Sequence, residues 1–223
     1  AEEIRRDKVR SEERHRQERD DLMKEMHDGL GSLLTNITVA SQAVGLAIAE
    51  DREKANDLAS MITSFSREAA DCLRTGLTVL DNPEGKMGMI LSDMRYRLGG
   101  HLEGHGMKVD FDAGDGIGEL SVGSRINLQI VRCLQEIFAN VLKHSGARVV
   151  SVRFRREGES LRIAVEYDGR GFDPNRVKTS GGFGLKNISK RMDDLGGAAD
   201  IHSSPGGGTR VILSIPLNSP PSP

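Results

Sequence analysis

The sequence has no tryptophan, only two cysteines and no marked excess of charge of either sign. Lysine and arginine number 31 against 33 for aspartate and glutamate, a formal net charge of −2, so nothing electrostatic favours a nucleic-acid partner. Cys72 and Cys133 are far apart, lack the short spacing of a metal site and sit in apolar helical contexts. They read as buried free thiols in a reducing, cytoplasmic setting. No apolar run approaches the ~18 residues that cross a bilayer, and no secretory signal is visible. The chain opens at Ala1 inside a charged helical pattern without an initiator methionine. It is expected to be the soluble part of a longer protein, reaching a membrane only through regions outside this chain. The remainder is 37% hydrophobic and 29% charged, the balance of a soluble protein, and at 223 residues two domains are the better prior.

What is present changes character along the chain. Residues 2–26 are dense in arginine and glutamate, with sparse apolar positions at Val9, Leu22, Met23 and Met26. Interspersed acids and bases predict a solvated helix or a weak two-stranded coiled coil. Met23, Met26, Leu30, Leu33, Leu34, Ile37, Val44 and Ile48 then follow three- and four-residue steps, the pattern of a long helix with one buried face. After a polar connection near Glu50 to Glu53, Leu58, Ile62, Phe65, Ala69, Cys72, Leu73, Leu77 and Leu80 repeat it. Two such helices alone bury too little surface, which predicts a homodimer whose paired hairpins form a four-helix bundle.

Inside the first of these helices, His27 stands beside Asp28. Neutral imidazole keeps one ring nitrogen free as a nucleophile, and a neighbouring carboxylate can hold the proton on the other, so the pair reads as nucleophile and general base. His15, His101, His105 and His202 lack such surroundings and read as surface histidines.

Asp81-Asn82-Pro83-Glu84-Gly85 is turn chemistry. It divides a helical domain over 1–81 from a linker over 82–86, a second domain over 87–217 and a disordered tail over 218–223. The second domain reads as a short strand from Met107 to Phe111 and a helix from about Arg125 to Lys143 capped by Ser124. Strands with alternating Val150, Val152, Phe154 and Leu161, Ile163, Val165 come next. A glycine-rich loop over 169–184, a helix from about Leu185 to Leu195, and strands at Ala199 to Ser203 and Thr209 to Pro216 complete it. The expected fold class is α+β, with one mixed or antiparallel sheet and one helical layer.

Taken in order, Glu25-Met26-His27-Asp28-Gly29-Leu30-Gly31, Glu136-Ile137-Phe138-Ala139-Asn140-Val141-Leu142-Lys143-His144, Asp168-Gly169-Arg170-Gly171-Phe172, Gly182-Phe183-Gly184-Leu185-Lys186-Asn187-Ile188 and Gly207-Gly208-Thr209 resemble the sensor histidine kinases of bacterial two-component systems. The likeness is to the nitrate-sensor and desaturase-thermosensor branch, and it covers nearly the whole chain. It implies a dimerisation and phosphoacceptor hairpin followed by an α/β-sandwich ATP-binding domain of the GHKL type. By resemblance, His27 is phosphorylated from Mg-ATP and hands the phosphoryl group to a receiver-domain aspartate of a response regulator, which itself ends in a helix-turn-helix DNA-binding domain. Asn140 is then the Mg²⁺ ligand, Glu136 a polar or basic group beside the ion, Lys143 a phosphate contact and His144 a nucleoside contact. Gly169, Gly171, Gly182 and Gly184 let backbone pass close to ATP, amides from Leu185 onward face phosphate, residues 173–181 resemble a mobile lid, and Thr209 reaches the adenine end.

Two departures stand out. The family's acid that accepts the adenine amino hydrogen stands just before the position of Asp168, where this chain has Tyr167, on the inward side of the alternation from Leu161. Losing that acceptor costs roughly 1 to 3 kcal/mol of base binding, with Asp168 as the neighbouring substitute. This keeps a nucleotide-impaired dimeric scaffold as an alternative. Ser32 replaces the glutamine that related kinases with phosphatase activity carry four residues after the aspartate. A serine kinase or plain ATPase on the same fold is a further alternative, against which the His27-Asp28 pair argues.

Overall fold

All seven prolines fall at or after Pro83, so no pyrrolidine ring interrupts the backbone ladder upstream. In the computed structural model, which describes residues 2–48, 51–80, 85–174 and 183–217, that stretch forms two helices, α1 (Glu2–Ala47) and α2 (Arg52–Leu80). Asp51 opens α2 by accepting the Lys54 amide on its carboxylate at 3.0 Å, a side-chain cap for one of the orphan donors of the first turn. The helices belong to one unit, Ala1–Pro83, and the sheet to a second, Glu84–Pro223.

Among the described side chains of α1 and α2, those buried are Leu22, Met26, Ala40, Ala47, Ala55 and Cys72. Most of the expected stripe is only half covered, and Met23, Leu34, Ile48, Leu73 and Leu77 stay exposed in the single chain. One expectation is corrected. Leu22–Ala47, which contains an 18-residue window of mean hydropathy 1.3, is long and apolar enough to cross a membrane by length and composition. No charge follows Asp28 until Glu50, and the polar groups between them weigh little in such an average. Thr35 and Thr38 return their hydroxyls to the Gly31 and Leu34 carbonyls at 2.8 and 2.9 Å.

The second unit is a five-stranded sheet of β1 (Lys108–Ala113), β2 (Val149–Glu157), β3 (Ser160–Tyr167), β4 (Ala198–Ser203) and β5 (Thr209–Pro216). Their spatial order is β1-β2-β3-β5-β4, with β1 parallel to β2 and the other pairs antiparallel. The parallel pair needs a long crossover, which α5 (Ser124–Asn140) supplies. Among the described residues the remaining α-helices are α3 (Met87–Met94), α4 (Gly100–Gly104) and α6 (Phe183–Asp193), with a π-helical turn over Arg95–Gly99 joining α3 to α4.

Strict alternation in β3 buries Leu161, Ile163, Val165 and Tyr167, while Arg162, Ala164 and Glu166 face the other way. With Val150, Val152 and Phe154 these side chains form the inner face, and Leu128, Leu134, Ile137, Phe138, Ile188 and Met192 are among the buried side chains of α5 and α6. Phe111 and Phe138 meet edge to face with centroids 6.2 Å apart. Full burial of each large apolar side chain contributes roughly 1.5–3 kcal/mol relative to leaving it in water. Cys72 and Cys133 are free and buried, and burial pushes the Cys133 thiol up to about 12.

The helical stretch 87–104 has no counterpart in the sequence expectations. Ser124 does not cap α5 either: it is the first residue inside the helix, and Gly123 takes the N-cap position without a side-chain bond. The expected tail, the Glu50 side of the connection, the lid over 175–181 and Gly182 lie outside the described residues.

Candidate functional site

On α1, Leu22 and Met26 turn inward. Gly76 of α2 leaves the room that Met26 needs, since a methyl there would overlap the Met26 thioether. Successive residues on a helix diverge by about 100°. Met26 facing in therefore leaves His27 and Asp28 facing out, and both are exposed. Asp28 follows His27 about 100° round the helix axis, on the same exposed side of α1.

On α5, Glu136 and Asn140 are one turn apart and half-buried. Beyond Asn140 the helix widens into a π-helical turn, Val141–Ser145, and ends at Gly146 in the left-handed region, φ 62°. Lys143 and His144, both exposed, ride on that turn. The α-helical steps that group 136, 140, 143 and 144 apply strictly as far as Asn140, because the i→i+5 spacing of the π turn winds each later residue less far round the axis than an α-helix does. Ser145 stabilises the end of the turn, donating to the Val141 carbonyl at 2.6 Å and accepting the Ala147 amide at 2.9 Å. Gly184, in the first turn of α6, lies against the Glu136 carboxylate so closely that a methyl would strike its Oε1. Leu185 beside it is half-buried.

The glycines of the loop after β3 are explained by the protein's own backbone. A side chain on Gly169, φ 105°, would meet the Ser145 carbonyl, and one on Gly171, φ 55°, would meet those of Ser204 and Gly208. Asp168 is exposed, off the inner face, as the alternation along β3 predicts. Its carboxylate accepts the amides of Arg148 and Val149 at 2.7 and 2.9 Å. The Val149 amide above all holds the group below its usual range, against a small opposing effect of burial.

The inner face at this end of the sheet is hydroxyl-rich. Tyr167 of β3 pairs in register with Thr209 of β5, which pairs with Ser203 of β4. Tyr167 is 9% exposed and Thr209 6%. Burial raises the Tyr167 phenol, opposed by a hydrogen bond with the Thr209 hydroxyl. Ser203 Oγ lies 2.9 Å from Thr209 Oγ1, donates to the Gly208 carbonyl at 2.8 Å and accepts the Phe172 amide at 2.9 Å. Sequence reasoning did not single out Ser203. The signal for it is the β4–β5 register, which alternation within one strand does not give. A cleft of about 560 Å³ lies on the opposite, outer face, bordered by Val149, Ser151, Glu166, Asp168, His202 and Arg210 among others.

Residues 126–219 match the family of histidine kinase-, DNA gyrase B- and HSP90-like ATPases, and residues 18–86 match a histidine kinase family. Sensor histidine kinase LiaS of Bacillus subtilis (strain 168) is 28% identical over 209 residues, taking in 94% of this chain and 55% of that protein. The signal transduction histidine-protein kinase/phosphatase DegS of Brevibacillus brevis is 28% identical over 216 residues, 91% of this chain and 52% of that protein. The chain spans about half the length of these two relatives. The histidine kinase domain of the Erythrobacter litoralis EL346 blue-light activated histidine kinase superposes with a TM-score of 0.57 at 21% identity, over 85% of this chain and 94% of that one, a likeness of fold.

An ATPase domain of this type behind a histidine-bearing helical hairpin defines a class, the protein histidine kinases. The chain belongs to the two-component sensor histidine kinases. The scaffold alternative finds no support in these relationships.

Proposed function

We propose that this chain is the kinase core of a bacterial sensor, phosphorylating His27 from Mg-ATP and passing the phosphoryl group to a receiver-domain aspartate of a response regulator. The observation that carries the reading is the exposed His27-Asp28 pair in a region matching histidine kinases, ahead of a matching ATPase domain in the same chain. The free imidazole nitrogen attacks the γ-phosphorus, a P–N bond forms, the bond to the bridging oxygen breaks and ADP leaves with the electron pair. Asp28 takes the imidazole proton as general base. The transfer needs alignment and charge neutralisation more than covalent help, and the Lys143 ammonium supplies part of that charge.

The donor set fits Mg²⁺, which prefers oxygen ligands. The Asn140 amide and Glu136 carboxylate are oxygen donors one turn apart, both half-buried. When bound with ATP there, the ion neutralises triphosphate charge. His144, Gly169, Gly171, Gly182, Gly184, Leu185 and Thr209 complete the proposed nucleotide site.

The functional unit is a homodimer, supported by the exposed apolar stripe of α1 and α2. It acts in the cytoplasm, where ATP and regulators are found, and does not itself bind nucleic acid. Incubation with γ-labelled ATP and Mg²⁺ tests the reading. Acid-labile label is expected on the parent chain, and none on His27→Gln or Asn140→Ala. Acid-stable label, or label that survives His27→Gln, overturns it.

A further inference from the structure

α4 is five residues long and carries a glycine at each end, Gly100 and Gly104, a residue type that weakens helices. It nonetheless closes in an ordered corner ahead of β1. Gly106 takes φ 81°. The His105 and Met107 amides both donate to the Leu102 carbonyl, at 3.0 and 3.2 Å, and the Gly106 amide donates to that of Glu103 at 2.9 Å. With its amide turned to Leu102, His105 sends its imidazole back to the carbonyl one turn earlier, and Nδ1 lies 2.9 Å from the His101 oxygen.

That bond fixes a tautomer. A carbonyl oxygen only accepts, so Nδ1 holds the ring proton and the free lone pair stands on Nε2. Imidazoles that bind metals are held in this way, the remote nitrogen donating to a backbone carbonyl or a carboxylate while the ligating nitrogen stays bare and aimed. A second ring stands beside the first. His101 is four residues earlier, on the same side of the helix, with the ring centroids 4.8 Å apart and the planes tilted by 59°. Two imidazoles sharing one tetrahedral ion, each nitrogen roughly 2.0–2.1 Å from it, set their centroids about 5 Å apart. Both histidines are exposed, so an ion reaches them from solvent without any opening of the fold.

We propose that His101 and His105 form a two-histidine site for a divalent transition metal of the Zn²⁺ and Cu²⁺ class, on the corner between α4 and β1. Imidazole nitrogen suits these ions, whereas Mg²⁺ takes oxygen donors, so the site differs in chemistry from the proposed Asn140 and Glu136 pair. Glu103 lies about 200° round the axis from His101 and faces away. Among the described residues no group of three or more histidine, cysteine, aspartate and glutamate side chains is placed to hold a metal. The chain thus supplies two ligands and water fills the remaining positions, which makes the ion exchangeable. Bound there, it clips the last turn of α4 across a corner that its glycines loosen.

The test titrates Zn²⁺ into the full chain, free of any affinity tag and in excess Mg²⁺, by calorimetry. A Zn²⁺ site of micromolar affinity is expected, undisturbed by Mg²⁺. His101→Ala and His105→Ala should each weaken it by about tenfold, the loss of one of two nitrogen ligands. His27→Gln should leave it unchanged. Cu²⁺ added to the parent at one equivalent needs no variant: electron paramagnetic resonance should show coupling to two imidazole nitrogens, and to one in His101→Ala.

A parent that takes up no Zn²⁺ overturns the inference. So does a Zn²⁺ affinity that survives unchanged in both His101→Ala and His105→Ala, which would leave the contact as two rings packed on a surface.

Discussion

Removing the charge of Asp168 takes away the acceptor for two backbone amides, those of Arg148 and Val149. Because the folded carboxyl is held below its ordinary value, its contribution is present above the unfolded value of 3.8 and is lost as pH falls through the folded pKa. Asp168→Asn should lower stability by about 1 kcal/mol at neutral pH, a modest figure because the group is exposed and screened. The gap to the parent should close below about pH 4, and urea melts across that range would show it. A gap that persists at acid pH would mean the side chain acts by shape and not by charge. Alternation along β3 was enough to send Tyr167 inward and Asp168 outward from sequence. What Asp168 touches was not legible, because its partners lie about twenty residues back, at the other end of the β2–β3 hairpin. The same limit hid Ser203 and the carbonyls that crowd Gly169 and Gly171, since a loop glycine reads alike whether a ligand or a neighbouring strand lies against it.

At the level of elements, the long periodic segments were the most legible. α1, α2 and the strands fall where three-residue, four-residue and two-residue steps place them, because those periods follow from backbone geometry alone. α3 and α4 were missed for a physical reason: they are short, and glycines at 99, 100 and 104 dilute the pattern. Gly99 has a packing cause, since a Cβ there would sit 3.4 Å from the Phe111 ring. The π-helical turn after α5 was likewise invisible, as no residue type announces it. The stripe on α1 and α2 was read as buried, and its exposed part is what the second copy of the proposed dimer would cover. Leu73 and Leu77, 48% and 60% exposed, should lie in the dimer interface. Leu73→Glu combined with Leu77→Glu is expected to give a monomer by light scattering, with the acid-labile label greatly reduced. A dimer of unchanged mass would place the interface elsewhere.

For the whole molecule, the division into Ala1–Pro83 and Glu84–Pro223 carries an energetic consequence. The first unit has little core of its own, whereas the second is built round a covered sheet face. Heating should therefore give two transitions in a scanning calorimeter. The one belonging to the helical unit should rise with protein concentration, as dimer linkage requires, and the one belonging to the sheet unit should not. A single concentration-independent transition would contradict this.

The join between the units has a meaning of its own. Gly85, φ 62°, is fixed by its carbonyl, which accepts the Val122 amide at 3.1 Å and the buried Asn127 side chain at 3.3 Å. Asn127 stands in the first turn of α5, and Glu136 and Asn140 stand near the other end of the same helix. The incoming chain and the proposed metal-facing side chains are thus mounted on one rod of about 25 Å at 1.5 Å per residue. A shift of the backbone at Gly85 is therefore expected to be felt first at the start of α5, the helix that carries Asn140.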